Sequence, residues 1–276
     1  MILKGKVVAK KIQESIAQVT KENDIALAIV AIGENKSTDA YIKGVLRTSK
    51  KLDVKVKLMR LPDDISTSDV IKHIDEINGD DTIHGLMIQM PLPKTLDQEK
   101  IIDAIDYKKD IDALTDKNIG MVLKGKKDGF LPCTPLAVLE ILDHYDINVT
   151  GLDITVVGRS NIVGKPVAAL LTNRGATVTI CHSRTKNIEE KTKRADLVIV
   201  AVGIKDFLTK EMVSEKSVII DVGINVEKGK LYGDADYENL KDYVKAITPV
   251  PGGVGSITNT LLINNTVKAF LLNEGN

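Results

Sequence analysis

Ile154-Thr155-Val156-Val157 runs straight into Gly158-Arg159-Ser160-Asn161-Ile162-Val163-Gly164-Lys165-Pro166, and an apolar helix pattern follows. A glycine-bearing turn between a strand and a helix lets backbone N–H groups approach a pyrophosphate at the helix's positive end. The spacing Gly-x5-Gly departs from GxGxxG, and two glycines alone would equally suit a turn that only connects two elements. The strand that follows, Val178–Cys181, separates the two readings. In an NAD site it would end in Asp or Glu, which binds the ribose 2′-hydroxyl. Here it ends Cys181-His182-Ser183-Arg184, without an acid. A carboxylate would repel a 2′-phosphate, whereas Arg159 and Ser183 can bind one. The pattern predicts NADP, with Gly158, Arg159, Ser160, Ile162, Gly164 and Ser183 around it. Arg184 suits either a phosphate contact or a solvated surface charge, and His182 reads as a hydrogen-bonded loop residue. Further on, an apolar run ends in Asp221-Val222-Gly223-Ile224-Asn225. Ligands of open α/β sheets bind beyond the carboxyl ends of strands. Gly223 and Ile224 therefore lie under a nicotinamide ring or form an ordinary strand-end turn.

Strand and helix patterns alternate outward from this stretch in both directions. Val8, Ile12, Ile16 and Val19 recur at helical spacing, and Ile25 to Ile32 is a continuous apolar run of strand length. A helix is expected from about Thr38 to Leu52, a strand at Val54–Leu58, a helix carrying Val70, Ile74 and Ile77, and a strand from Ile83 to Gln89. Further strands are expected at Ile154–Val157, Leu197–Val202 and Val218–Val222. Such alternation predicts an α/β fold with parallel sheets covered by helices. Between Tyr107 and Pro132 the pattern dissolves into Lys, Asp and Gly, which reads as a long loop region. Thr134-Pro135 reads as an N-cap and first-turn proline opening a helix to about Tyr145. At 276 residues the chain is about twice the commonest domain length, so two domains are expected. The second runs from roughly Pro135 to Pro251, and the last helix, about Thr258 to Leu272, suits either.

Lys plus Arg equals Asp plus Glu at 38 each, so the whole chain offers nucleic acid or an anionic membrane no attraction. No apolar run is long enough to cross a bilayer, and Met1 to Lys6 lacks the pattern of a signal peptide. Cys133 and Cys181 show no zinc-ligand spacing, so no metal is expected, and a cytoplasmic location with free thiols is.

Five motifs in order carry a resemblance. They are Gly85-Leu86-Met87-Ile88-Gln89-Met90-Pro91-Leu92-Pro93, Lys109-Asp110-Ile111-Asp112-Ala113, Pro132-Cys133-Thr134-Pro135, the turn Val157–Pro166, and Thr248-Pro249-Val250-Pro251-Gly252-Gly253-Val254-Gly255. From Leu3 to about Ala269 the chain resembles the bifunctional methylenetetrahydrofolate dehydrogenase/methenyltetrahydrofolate cyclohydrolase family. The resemblance implies NADP-dependent oxidation of 5,10-methylenetetrahydrofolate to the 5,10-methenyl form, then hydrolysis to 10-formyltetrahydrofolate. It implies a folate domain of residues 1–134 plus about 256–276, a Rossmann domain of residues 135–255, and a last helix returning to the first. It also implies a cleft between the domains and a homodimer formed through the Rossmann domains. Asp112 would accept the pterin's two parallel N–H donors, or else cap a turn, as Asp110 also can. Tyr41 would stack on the aminobenzoyl ring or pack on its helix face. Gln89 would present an amide to the substrate or lie at a strand end. Pro251, Gly252 and Gly253 would let backbone approach the folate or form a plain turn.

The chain departs from the family where hydrolysis is managed. Four residues after Tyr41, where the family has lysine, stands Val45. Valine carries no proton, so cyclohydrolase activity is expected to be weak, absent or served by another group, while hydride transfer survives. Lys43 is two residues from Tyr41 and turned to the other helix face, and would need a distortion at Gly44 to reach round. Ala113 replaces glycine, which matters if that position needs positive φ. Thr38 and Ser256 replace a serine and a proline. Two rivals are another two-domain dehydrogenase of shikimate-dehydrogenase-like architecture, for which no motif is found, and a non-catalytic folate- or NADP-binding regulator.

Overall fold

The computed structural model describes residues 1–33 and 36–274. In chain order its elements are α1 (Gly5–Glu22), β1 (Ala26–Ile32), α2 (Lys36–Lys51), β2 (Lys55–Leu61), α3 (Thr67–Asn78), β3 (Gly85–Ile88), α4 (Gln98–Asp103) and α5 (Asp116–Leu123). There follow α6 (Cys133–His144), β4 (Asp153–Val157), α7 (Gly164–Asn173), β5 (Thr177–Cys181), α8 (Ile188–Arg194), β6 (Leu197–Val200) and β7 (Val218–Asp221). The chain closes with β8 (Asn225–Glu227), β9 (Lys230–Tyr232), α9 (Tyr237–Leu240), β10 (Ala246–Ile247) and α10 (Thr258–Glu274). Two compact units result. The first comprises residues 11–121, 126–131 and 259 onward; the second comprises residues 1–10, 122–125 and 132–258.

In the first unit three parallel strands lie in the order β2-β1-β3. β1 is buried from Leu27 to Ala31 because helices cover a parallel sheet on both faces, which is why it reads as an unbroken apolar run. Ala28, Val30, Leu86 and Ile88 pack with Val70, Ile74 and Ile77 of α3 and with Ile101 and Ile105. Each such large side chain removed from water contributes about 1.5–3 kcal/mol. Ser66 starts α3 by accepting a hydrogen bond from the Asp69 N–H at 3.2 Å. Lys109 closes the other end: its buried Nζ donates to the carbonyls of Ile77, Asn78 and Asp80 at 2.8–2.9 Å. Burial pulls that ammonium below its usual range.

The segment expected as a loop between Tyr107 and Pro132 contains the eight-residue α5. Buried Asp110 organises it. Its carboxylate accepts from the N–H groups of Leu114 and Thr115, from Thr115 Oγ1 and from Asn118 Nδ2. Ala113, packed inside this turn, has φ of 51°. The position does hold the left-handed conformation that glycine adopts freely. From α10, Asn265 Nδ2 donates to Ile111 O at 2.7 Å and Leu131 O at 3.2 Å.

In the second unit five parallel strands take the order β10-β7-β6-β4-β5. Relabelled from the first of them, β4, this is the doubly wound order 2-1-3-4-5. β8 and β9 form a separate antiparallel hairpin. Thr134 does not cap α6. The helix begins at Cys133 with Pro132 in the capping position and no side-chain bond, since proline's fixed φ starts the helix without a polar cap. Among the described residues no helix is long and apolar enough to cross a membrane, and no cluster of His, Cys, Asp or Glu could hold a metal.

Two stability measurements follow from this unit-level packing. Ala113→Gly relieves the left-handed alanine and should raise unfolding free energy by about 1 kcal/mol in urea titration. Lys109→Met should lower it by about 2–4 kcal/mol, because three carbonyls lose a charged donor.

Candidate active site

In the first unit β1 lies between β2 and β3, and ligands of open α/β sheets bind beyond the carboxyl ends of the strands. Three predicted residues come to that end. Tyr41 lies half-buried in the second turn of α2, the helix that follows β1. Gln89 directly follows β3, its N–H donating to Val30 O at 2.9 Å. Asp112, also half-buried, comes two residues after Asp110, which bridges Leu86 of β3 in the parallel sense.

Gln89 is held in one orientation, since Nε2 donates to Met90 O at 2.8 Å. Its Oε1 is buried and meets no donor among the described residues. Burying an unpaired acceptor costs about 1–3 kcal/mol, so the atom is set for a donor brought by something that binds there.

α2 turns Ile42 and Val45 fully inward and leaves Lys43 exposed. The helix runs unbroken through Gly44, so no distortion brings Lys43 round. The glycine leaves room for a neighbouring side chain. A Cβ at Gly44 would stand 2.6 Å from Asn259 Nδ2 of α10.

In the second unit β4 ends at buried Gly158, whose φ is 133°, and a Cβ there would meet Ala201 O at 2.4 Å. A Cβ at Gly164 would meet Gly158 O at 2.2 Å. The turn therefore folds back on itself, with only hydrogen atoms between its ends. Ser160 Oγ accepts from the N–H groups of Val163 and Gly164 at 3.2 and 3.4 Å, fixing the entrance to the ten-residue α7. This glycine-walled cradle at a helix N-terminus fits a dinucleotide pyrophosphate. Gly158 N donates to Cys181 O at 2.9 Å, which sets the turn beside the end of β5. Arg159 and Ser183 are exposed there, with no acid between Cys181 and Lys186. His182 is a hydrogen-bonded loop residue: its Nδ1 accepts from the Arg184 N–H at 3.1 Å. Ile162 and Ile224 are the exposed apolar groups of the two turns, at 55% and 63%. Pro251 is exposed, and Gly252 has φ of 111°. Ser256, where the family has proline, donates to Gly253 O at 2.6 Å and so still fixes the glycine turn.

Two further side chains at this end of the sheet escape a reading of the sequence. Asp221 accepts from the N–H groups of Gly223, Asp234 and Ala235 at 2.9–3.0 Å. Asp234 accepts from those of Val202 and Gly203 at 2.6 and 2.9 Å and from Asn225 Nδ2 at 2.9 Å. Burial pushes the Asp221 carboxyl up to about 6, against the downward pull of its three N–H donors, and the Asp234 charge adds to the rise. An acid closing the apolar run Val218–Ile220 was the one available signal.

Comparison with known proteins agrees with this geometry. Residues 3–112 match the catalytic domain of the tetrahydrofolate dehydrogenase/cyclohydrolase family, and residues 132–274 match its NAD(P)-binding domain. The bifunctional protein FolD of Campylobacter fetus is 43% identical over 274 residues, covering 97% of this chain and 96% of that protein. The crystal structure of the bifunctional 5,10-methylenetetrahydrofolate dehydrogenase/cyclohydrolase from Thermoplasma acidophilum superposes with a TM-score of 0.94 at 41% identity, covering all of both chains. The Trypanosoma brucei enzyme, solved with NADP and an inhibitor, superposes with a TM-score of 0.94 at 28% identity over 99% of this chain and 98% of that one. With two matched domains, near-complete coverage and the same architecture, this chain belongs to the tetrahydrofolate dehydrogenase/cyclohydrolase family.

Proposed function

We propose that the protein oxidises 5,10-methylenetetrahydrofolate to 5,10-methenyltetrahydrofolate with NADP, and that its hydrolysis of the methenyl product is slow. The observation that carries the substrate reading is the buried, donor-less Oε1 of Gln89 at the carboxyl end of β3. Asp112 binds the pterin's paired N–H groups as a fork, and Tyr41 stacks on the aminobenzoyl ring.

NADP, when bound, supplies the hydride acceptor. The protein's part is to bind and orient, which can supply a large share of rate acceleration when reacting atoms are held close. The glycine cradle of residues 158–164 holds the pyrophosphate, Arg159 and Ser183 hold the 2′-phosphate, and Gly223 and Ile224 form the floor for the nicotinamide. No side chain need take a proton in this step, because the folate nitrogen's lone pair drives hydride loss.

Hydrolysis is different. Water must add to the cationic methenyl carbon and lose a proton as the ring opens. Val45 stands at the family's lysine position, fully buried and without a lone pair, and Lys43 faces solvent. Gln89 and Asp112 remain to orient water, with no amine to manage its proton. We further propose a homodimer through the second unit and a cytoplasmic location, with no nucleic-acid partner. The balanced charge and the resemblance support these.

Methylenetetrahydrofolate supplied with NADP should yield NADPH, and with NAD far less reduced cofactor. The methenyl absorbance should accumulate rather than decay at the pace of NADPH formation. Prompt decay would remove the assignment of slow hydrolysis, and no NADPH at all would remove the dehydrogenase itself. Gly158→Ala forces a Cβ against Ala201 O and should weaken NADPH binding roughly tenfold or more by fluorescence titration.

A further inference from the structure

Three segments meet at one end of the second unit's sheet: residues 201–203 after β6, residues 221–225 after β7, and residues 233–235 after the hairpin. Their backbones share no strand ladder, and two carboxylates tie them together. Asp221 reaches from the second segment to the N–H groups of the third, and Asp234 reaches from the third to those of the first. The braces are set tight. A Cβ at Gly223 would stand 2.1 Å from Asp234 Cγ, and one at Gly233 would stand 1.8 Å from Asp221 Oδ2. Asn225 cannot turn its amide over, because Nδ2 donates both to Asp234 Oδ1 and to Gly233 O at 3.0 Å. Thr248 Oγ1 accepts the Asp221 N–H at 2.7 Å and anchors the strand end from β10's side.

Charge-assisted bonds to backbone are shorter and about twice as strong as neutral ones. Fully buried, as Asp221 and Asp234 are at 2% and 0% exposure, they fix a turn more firmly than solvent-exposed contacts would. The turn so fixed is Gly223-Ile224, with the Val202-Gly203 loop beside it. We propose that Asp221 and Asp234 are positioning residues for the nicotinamide half of NADP. They act through the backbone of residues 202–203 and 223–224, without touching the cofactor. This rests on the NADP reading above and adds to it the residues that set the height and angle of the ring's floor. A displacement of about 1 Å at a hydride-transfer site costs roughly a hundredfold in rate.

Asp234→Asn tests this while keeping the shape. The amide oxygen still accepts from Val202 and Gly203, but the new NH2 meets Asn225 Nδ2, donor against donor. Turnover at saturating NADP should fall roughly ten- to a hundredfold, and NADPH should bind more weakly. Adenosine 2′,5′-bisphosphate, which carries the 2′-phosphate but no nicotinamide, should bind as it does to the unmodified protein. Asn225→Ala removes the same link without touching either carboxylate. It should show the same split if the asparagine variant does not fold. Equal losses for both probes, or no loss for either, would overturn the positioning role. Unmodified protein that binds the bisphosphate yet reduces no NADP would instead overturn the dehydrogenase reading beneath it.

Discussion

The first strand of each parallel sheet lies between the second and the third. Right-handed crossovers then carry the connections from neighbouring strands to opposite faces, and their starts part at the carboxyl edge. Each unit gathers polar side chains and glycines at that edge, and those are the residues to which the proposed function gives the chemistry. In the first unit Gln89 sits at the parting point. In the second, the turn from Gly158 to Gly164 does. The placing of these candidate residues is thus a consequence of strand order before it is a consequence of residue type.

Much of this was legible because both faces of each sheet are covered. Ile25–Ile32 and Ile154–Val157 read as strands on apolarity alone, and the helices between them carry the 3.6 period. The misreadings share a cause: local pattern was absent or pointed elsewhere. α5 has eight residues with Gly120 inside it, and what holds it in place is Asp110 and Asn118, through bonds that leave no periodic trace. Thr134 has the side chain of a cap, but Pro132 sets the helix entry. The Asp221–Asp234 brace joins residues 13 apart through backbone N–H groups, and nothing in the composition of either segment announces it. The cofactor turn, by contrast, needs its glycines in sequence and shows them there.

Val45 and Gln89 illustrate how one replacement redistributes roles. A valine here completes the α2 face that Ile42 also serves, and gains apolar burial. The Gln89 amide beside the end of β3 keeps one acceptor unpaired in a dry place. Hydride transfer tolerates this, because it asks for orientation rather than proton traffic. On the function proposed above, one reaction of the site would weaken and the other persist without any rearrangement of its backbone.

α10 ties Asn265 to Ile111 O and Leu131 O, and Lys268 to Lys127 O and Gly129 O. The segment made first thus lacks its closing helix until the residues of α10 have been added. Residues 132–258 contain their whole sheet and can settle while still tethered to the ribosome, since domains generally fold as units during synthesis. The earlier-made half waits. Stalling or truncation ahead of α10 would leave the second unit formed and the first exposed to proteolysis.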